Sequence, residues 1–248
     1  MITSASNPRL KLLRRLESRR QRARSGLFVC EGEDLVDAAL AAGFEPHDLL
    51  VAGEDVEPEL LAGVSALGHP PRVIGVFRRP DLPGWEPRAV SLALWHVADP
   101  GNIGTLLRTA DAFGASVALS EGCADPTSAK ALRASAGAIF RVPIGRFDEG
   151  GGRRVALAAR EGRPLAELDL REGTTFVLGA EREGLPREVV EACDEVASIP
   201  IAESSESLNV AVAGAIALYE WSRRRGTPAR DCAEVPSSRD CPEVRDSP

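Results

Sequence analysis

The first third of the chain alternates short apolar runs with polar stretches. Apolar runs at 27–29, 49–51 and 73–77 predict strands, and apolar residues recur at helical spacing over 34–42. Glycines and charged residues separate these runs, so the predicted elements are short. The pattern predicts a small α/β domain over residues 1–85.

The pattern changes after residues 80–88, where three prolines and one glycine predict a domain boundary. Five further apolar runs predict strands: 91–97, 116–119, 140–144, 174–179 and 196–201. Helical spacing predicts four helices: 103–113, 126–135, 153–160 and 208–225. Strands that alternate with helices predict a second α/β domain over 89–225, built on a mostly parallel sheet. Residues 226–248 lack an apolar period and predict a disordered tail.

Composition is that of an ordinary globular protein. Of the 248 residues, 44% are hydrophobic and 27% charged, enough for a core in each of two domains. The longest apolar runs are about half of the roughly 20 residues that a membrane helix needs, and no signal-peptide core is visible. We therefore expect a soluble, cytoplasmic protein without a membrane partner. Five cysteines without C-x-x-C spacing and three scattered histidines predict neither a disulfide framework nor a metal site.

Charge is unevenly distributed along the chain. The whole chain carries −7, but residues 1–25 carry +7 and the remainder −14. A basic segment on an acidic body is typical of a protein that contacts phosphate through one face. The side chains predicted to make this contact are Arg9, Lys11, Arg14, Arg15, Arg19 and Arg20. The alternative, which is compatible with the first, is an amphipathic helix that starts at Asn7-Pro8 and buries Leu10, Leu13 and Leu16.

The common phosphate-loop, dinucleotide-binding and esterase motifs are absent from the sequence. A first candidate for chemistry is the segment 99–114, in which a helix follows an Asp-Pro-Gly turn. Asn102 is predicted at the N-cap of this helix, and Arg108 lies off its apolar stripe. The alternative is an ordinary capped helix with a solvent-facing arginine.

Two further segments follow predicted strands. Glu181 lies in a glycine-containing turn over 178–186, where open α/β sheets bind ligands, although a plain strand-to-helix loop is the alternative. Ser207 and Asn209 precede a helix rich in small apolar residues, and an N-cap role for Ser207 is the alternative there. Each of these signals is weak when taken alone.

The order and spacing of the three segments are more specific than any one of them. The patterns N-x-G-x-x-x-R, L-G-x-E-x-x-G-L and I-P-(x6)-S-L-N-V resemble the SpoU (TrmH-like) branch of the SPOUT RNA methyltransferases over about 90–225. Residues 2–14, 28–32 and the helix after them resemble, more loosely, the substrate-binding domain of that family. The resemblance implies transfer of a methyl group from S-adenosylmethionine to a ribose 2′-hydroxyl, in rRNA more than in tRNA.

The resemblance also implies a structure and a set of roles. The C-terminal sheet would thread into a trefoil knot that holds the cofactor, and two copies would form a homodimer. The implied cofactor-binding residues are Leu178, Gly179, Ile199, Pro200 and Leu208. The implied catalytic residues are Asn102, Arg108, Glu181, Ser207 and Asn209. In the family the arginine approaches the partner's cofactor. Arginine is often cast as the base there, but a guanidinium group normally stays protonated, so whether Arg108 is a base or a positive clamp stays open.

The chain departs from the family pattern at two places. Alanine stands at position 211, where many relatives have serine, and an acidic loop over 203–206 replaces a glycine-containing one. Acidic residues are unexpected next to RNA. Four alternatives remain: a tRNA ribose methyltransferase, a base methyltransferase, a non-catalytic RNA-binding or ribosome-assembly protein, and a small-molecule binder. An antibiotic-resistance role on rRNA also stays open.

Overall fold

A computed structural model describes residues 1–67 and 70–224, and the predicted tail over 226–248 lies outside them. No helix in the described part of the chain is long and apolar enough to cross a bilayer.

The N-terminal elements are α1 (Pro8–Leu16), α2 (Arg19–Ser25), β1 (Leu27–Glu31), α3 (Glu33–Ala41), β2 (Asp48–Val51), α4 (Pro58–Ala62) and β3 (Val73–Arg78). Their strands form an antiparallel sheet in the order β1-β3-β2.

The basic segment folds into two helices. The Asn7 side chain accepts the backbone N–H of Arg9, and Pro8 occupies the first turn of α1, where its missing N–H costs nothing. The three leucines of the predicted stripe are buried, as expected: Leu10, Leu13 and Leu16. A left-handed Gly26 ends α2 and turns the chain into β1.

A seven-stranded sheet and the helices that connect its strands form the rest of the described chain. Its elements are β4 (Val90–Leu94), α5 (Pro100–Phe113), β5 (Ser116–Leu119), α6 (Ala129–Ser135), β6 (Ile144–Arg146), β7 (Arg153–Ala158), β8 (Arg163–Pro164), β9 (Thr174–Leu178), α7 (Arg187–Glu191), β10 (Glu195–Ser198) and α8 (Val210–Arg224). The strand order is β6-β5-β4-β9-β7-β10-β8, and every pairing is parallel. The predicted parallel α/β sheet is therefore confirmed, whereas the knot stays a prediction.

Alternate residues of the central strands enter two different cores. Leu92 and Phe176 pack against α5 and α8 on one face of the sheet, and Ala93 and Val177 face the opposite side. Because all strands run in the same direction, their carboxyl ends share one edge. The loops of all three sequence motifs start at that edge.

Two sequence predictions in this region are wrong. The segment 153–160, predicted as a helix, is strand β7, because a strand paired on both sides is buried without the period-two pattern that would reveal it. The run 140–144, predicted as a strand, splits into a 3₁₀ turn at Ala138–Phe140 and strand β6. The turn forms because Ile139 and Phe140 pack against the N-terminal sheet and are withdrawn from pairing.

A hydrophobic cluster joins the two sheets. Phe28 and Phe77 of the N-terminal sheet lie 6.3 and 6.0 Å from the ring of Phe140, measured between ring centroids. Leu132 of α6 is buried in the same cluster. A Cβ atom at Gly137 would lie 2.6 Å from that of Ala38, so the backbones approach closely here.

A buried ion pair reinforces this interface. Arg22, counted in the basic segment, is only 5% exposed, and its Nε donates to Oδ2 of Asp125 at 2.9 Å. The same guanidinium donates to the carbonyls of Leu16 and Glu17, and Asp125 also accepts the backbone N–H and the hydroxyl of Thr127. Arg22 therefore connects the two sheets and is not available to RNA.

Candidate active site

Hydrogen bonds join the three sequence motifs at the carboxyl edge of the large sheet. The Nδ2 atom of Asn102, on α5, donates to Oε1 of Glu181 at 2.9 Å. The Nδ2 atom of Asn209, just before α8, donates to Oδ1 of Asn102 at 3.0 Å. The structure thus brings together three of the predicted catalytic residues through one side chain, that of Asn102.

Glu181 is the acceptor at one end of the hydrogen-bonded chain that Glu181, Asn102 and Asn209 form. The backbone N–H groups of Ala98 and Asp99 also donate to its carboxylate, at 3.3 and 3.2 Å. Partial burial raises the pKa of Glu181, but the hydrogen bonds from Asn102 and the backbone lower it further, so the pKa lies below the ordinary value of 4.5. Glu181 is therefore ionised at neutral pH, where it accepts hydrogen bonds and orients its donors.

The prediction that Asn102 caps α5 is wrong. Asp99 is the N-cap residue, because its carboxylate accepts the backbone N–H groups of Gly101 and Asn102, and Pro100 occupies the first helical position. Aspartate takes the cap, and the Asn102 side chain is left to bridge Glu181 and Asn209. Likewise Asn209, rather than Ser207, caps the last helix, since its Oδ1 accepts the backbone N–H groups at positions 211 and 212.

A cavity of about 400 Å³ opens beside this hydrogen-bonded chain of side chains, at the carboxyl ends of β7, β9 and β10. Four of the predicted cofactor-binding residues line it: Leu178, Gly179, Ile199 and Leu208. Ser207 and Glu181 also line it, whereas Pro200 does not. Its volume falls in the range that holds small-molecule ligands.

Gly179 is required by the shape of the turn after β9. A Cβ atom there would lie 2.2 to 2.5 Å from backbone atoms of Gly184 and Leu185. Ala180 and Gly184 close the turn with reciprocal backbone hydrogen bonds, and Gly184 has a φ of +67°. The turn that carries Glu181 therefore accepts no side chain at position 179.

We expect a Gly179→Ala variant to lose S-adenosylmethionine binding by at least about tenfold, because the added methyl group pushes the turn out of the cavity wall. Isothermal titration calorimetry measures the change. Gly84→Ala is the control, since nothing lies within 4 Å of a Cβ atom there. Equal affinity in the two variants would contradict the proposed tight turn.

The chemistry of the cavity suits the cofactor that the family resemblance implies. Apolar side chains from three strands and α8 can enclose an adenosine group. Three carboxylates, of Glu181, Glu183 and Glu206, and one guanidinium, of Arg182, also line the wall. This negative balance complements a ligand with a positive sulfonium and a positive ammonium group. The acidic loop over 203–206 thus places Glu206 on the cavity wall.

Sequence reasoning missed part of this wall. Leu157, Ala158 and Ala159 line the cavity from the end of β7, the segment predicted as a helix. Arg160 follows them and donates to the backbone carbonyls of Glu203 and Ser205, at 3.1 and 2.7 Å. The short apolar run over 155–159 was the available signal, and a strand assignment would have placed its end at this edge.

Arg108 does not line the cavity of its own chain. It lies on α5 beyond Asn102, its side chain is exposed, and it makes no hydrogen bond or ion pair with any residue that the structure describes. The structure therefore does not join it to the other predicted catalytic residues within one chain.

The predicted RNA-binding residues lie on α1 and α2. Five of them are exposed: Lys11, Arg14, Arg15, Arg19 and Arg20. Arg9 instead forms an ion pair with Asp48 and donates to the carbonyl of Leu49 at 2.9 Å. The patch available to phosphate is thus smaller than the sequence indicates.

Comparison with known proteins gives two family matches in this chain. Residues 89–219 match the model of the SpoU rRNA Methylase family, and residues 7–76 match the MRM3-like substrate binding domain. The 23S rRNA (guanosine(2553)-2′-O)-methyltransferase RlmP of Bacillus subtilis is 32% identical, over 88% of this chain and 97% of that protein.

Solved structures show the same architecture. The AdoMet-bound rRNA methyltransferase from Sinorhizobium meliloti has a TM-score of 0.82 and 29% identity, covering 90% of this chain and 97% of that one. The SpoU methyltransferase AviRb from Streptomyces viridochromogenes, in complex with AdoMet, has a TM-score of 0.77 and 27% identity, covering 88% of this chain and 98% of that one.

Proposed function

Because this chain belongs to the SpoU rRNA methylase family of RNA methyltransferases, we propose that it methylates a ribose 2′-hydroxyl of ribosomal RNA. The observation that carries the proposal is the hydrogen-bonded chain Glu181–Asn102–Asn209, which unites the three motifs on the rim of a cavity that suits S-adenosylmethionine. The relative from Bacillus subtilis, named as a 23S rRNA 2′-O-methyltransferase, supports the choice of substrate. The cytoplasmic location stays a prediction.

S-adenosylmethionine supplies an electrophilic methyl group on a positively charged sulfur. Asn102, whose side-chain amide is hydrogen-bonded through both Nδ2 and Oδ1, fixes the start of α5 against the turn of Glu181. A ribose hydroxyl becomes a strong nucleophile only as its proton leaves, so negative charge develops on its oxygen. Arg108 stabilises this charge and does not take the proton, because a guanidinium group offers hydrogen-bond donors and no acceptor. The proton leaves to water.

We propose that the enzyme is a homodimer in which Arg108 serves the cavity of the partner subunit. Val212 and Tyr219, two turns apart on α8, are 47% and 58% exposed although both are apolar. Since α8 packs against α5, this stripe lies on the helix next to the one that carries the unpaired Arg108. Two copies that bury the stripe against each other would bring each arginine close to the other chain.

We expect the double variant Val212→Asp/Tyr219→Asp to be monomeric and at least about tenfold less active, since charge opposes burial of the stripe. Sedimentation velocity and methyl transfer measure the two effects. Leu40→Asp is the matched control, because Leu40 is 44% exposed on α3, which packs against the other sheet. A dimeric, fully active double variant would contradict this interface.

The activity itself is tested with methyl-labelled S-adenosylmethionine and separate, unmodified rRNA and tRNA. After alkaline hydrolysis, a 2′-O-methylated ribose leaves label in alkali-resistant dinucleotides. Label in dinucleotides from rRNA supports the proposal, and label from tRNA alone overturns the choice of substrate. Label only in mononucleotides indicates base methylation. Absence of both label and cofactor binding would favour a non-catalytic RNA-binding protein.

A further inference from the structure

The proposed function gives no role to the acidic loop over 203–206, the segment at which the chain departs from the family pattern. The loop follows β10, is exposed, and leads directly into the third motif. Its last residue, Glu206, lines the cavity together with Ser207 and Leu208. The loop is therefore part of the cavity wall at the place where the cavity meets solvent.

A side chain from outside the loop fixes its backbone. Arg160 lies two residues after the end of β7, and its Nη2 atom donates to the carbonyls of Glu203 and Ser205, at 3.1 and 2.7 Å. Within this segment, the backbone N–H of Ser205 donates to the carbonyl of Ala202 at 3.0 Å. Because the end of β7 also lines the cavity, the Arg160 guanidinium joins that side of the wall to the loop.

The carboxylates of the cavity differ in what they already bind. Glu181 accepts hydrogen bonds from Asn102 and from two backbone N–H groups. Glu183 and Glu206 form no hydrogen bond or ion pair with any residue that the structure describes. Glu206 differs from Glu183 in that Arg160 holds its loop against the β7 side of the wall. Glu206 thus offers an unpaired carboxylate at a fixed place on the wall.

S-adenosylmethionine has two chemically different ends. Its adenosine is a group that apolar side chains can enclose, and Leu157, Ile199 and Leu208 are among those that line the cavity. Its amino-acid end carries an ammonium and a carboxylate group. A carboxylate is the best protein partner for an ammonium group, because a hydrogen bond between charged groups is about twice as strong as a neutral one.

We propose that Glu206 binds the ammonium group of the cofactor, and that Arg160 is a positioning residue that holds the loop of Glu206 in place for this contact. The inference rests on the proposed function, which supplies the cofactor. It adds a determinant of selectivity, because the cavity then favours ligands that carry the amino-acid end over other adenosine compounds. The acidic loop on this account serves the cofactor and not the RNA.

Three ligands test the contact by isothermal titration calorimetry, without RNA. S-adenosylhomocysteine carries both charged groups, its deamino analogue keeps the carboxylate and lacks the ammonium, and 5′-methylthioadenosine lacks both. All three share the adenosine and an uncharged thioether sulfur, so differences in affinity report on the amino-acid end. Glu206→Gln removes the charge with little change of shape, and Glu183→Gln is the matched control on the same wall.

We expect Glu206→Gln to weaken binding of S-adenosylhomocysteine about tenfold, and to leave the affinity for the other two ligands within about twofold. Glu183→Gln should bind all three ligands as the wild-type protein does. Arg160→Gln should weaken binding of S-adenosylhomocysteine about fivefold. Adding Glu206→Gln to it should then cost less than in the wild-type protein, because the carboxylate is no longer held in place. The melting temperature should not change in any variant.

Three results would overturn the contact: unchanged binding of S-adenosylhomocysteine by Glu206→Gln, an equal loss for all three ligands, or the same selective loss in Glu183→Gln. Fully additive effects of Arg160→Gln and Glu206→Gln would overturn the positioning role of Arg160. In each case methyl transfer to rRNA by the wild-type protein would leave the proposed function intact. Failure of the wild-type protein to bind S-adenosylhomocysteine would overturn both proposals. Binding that depends on Glu206, without methyl transfer to any RNA, would overturn the proposed function alone.

Discussion

Methyl transfer is expected to fall at least about a hundredfold when Arg108 is replaced by alanine, while the affinity for S-adenosylmethionine stays within about threefold. The reason is that Arg108 lies outside the cavity of its own chain and, in the proposed role, stabilises only the charge that develops during transfer. Single-turnover kinetics with saturating rRNA measures the rate, and calorimetry measures cofactor affinity. Arg108→Lys separates the two properties of the side chain, because lysine keeps the charge but loses the planar, two-pronged donor.

Arg187→Ala is the control for this experiment, since Arg187 is an exposed arginine on α7 whose ion pair with Glu191 is solvated. Near-normal transfer by Arg108→Ala would contradict the proposed role. A heterodimer of one Arg108→Ala subunit and one Gly179→Ala subunit, purified through two different tags, tests whether the arginine acts across the interface. If it does, one intact composite site remains, and about half of wild-type activity returns. If Arg108 serves its own chain, neither site is complete and the heterodimer is inactive.

Asp125→Ala is expected to lower the free energy of unfolding by about 3 to 5 kcal/mol, because it leaves the Arg22 guanidinium buried without its counter-ion. Denaturant titration followed by circular dichroism measures the change. Asp148→Ala is the control, since the ion pair of Asp148 with Arg146 is exposed and its loss should leave stability unchanged. A decrease smaller than about 1 kcal/mol would show that the interface does not depend on this pair.

The same pair predicts how stability depends on pH. Burial raises the pKa of Asp125, but hydrogen bonds from Thr127 and the positive charges of Arg79 and Arg22 lower it below its ordinary value of 3.8. The folded protein therefore binds this proton less readily than the unfolded chain does. The resulting stabilisation is complete above the unfolded pKa and is lost as the pH falls through the folded one. Asp125→Asn should weaken this acid dependence.

Local patterns in the sequence predicted most of the large sheet. The apolar runs at β4 and β9 and the amphipathic spacing of α5 lie in contiguous segments, so each is visible without knowledge of its neighbours. Strand β7 was missed because it is a strand only by virtue of β9 and β10 on its two sides. The turn at Ile139 and Phe140 was missed for a similar reason, since its apolar residues face another sheet.

The candidate site, like the sheet, combines residues that the sequence identifies with contacts that only the fold creates. Glu181, Asn102 and Asn209 were identified by motif order, but their shared hydrogen bonds depend on three loops that only the fold brings together. Arg22 was counted in the basic segment over 1–25 because charge alone does not reveal a partner 103 positions away.

The junction between the two sheets has a consequence for how this enzyme chooses its nucleotide. The phenylalanine cluster and the Arg22–Asp125 pair fix α2 against the sheet that carries the methyl-transfer centre. The fold therefore fixes the distance between the basic helices, α1 and α2, and the methyl-transfer centre. If RNA phosphates bind the exposed basic residues of α1 and α2, as predicted, only a ribose that the RNA fold presents at that distance can be methylated. We therefore expect the enzyme to select a nucleotide by its distance from the bound phosphates in the folded RNA, and not by the identity of the surrounding bases.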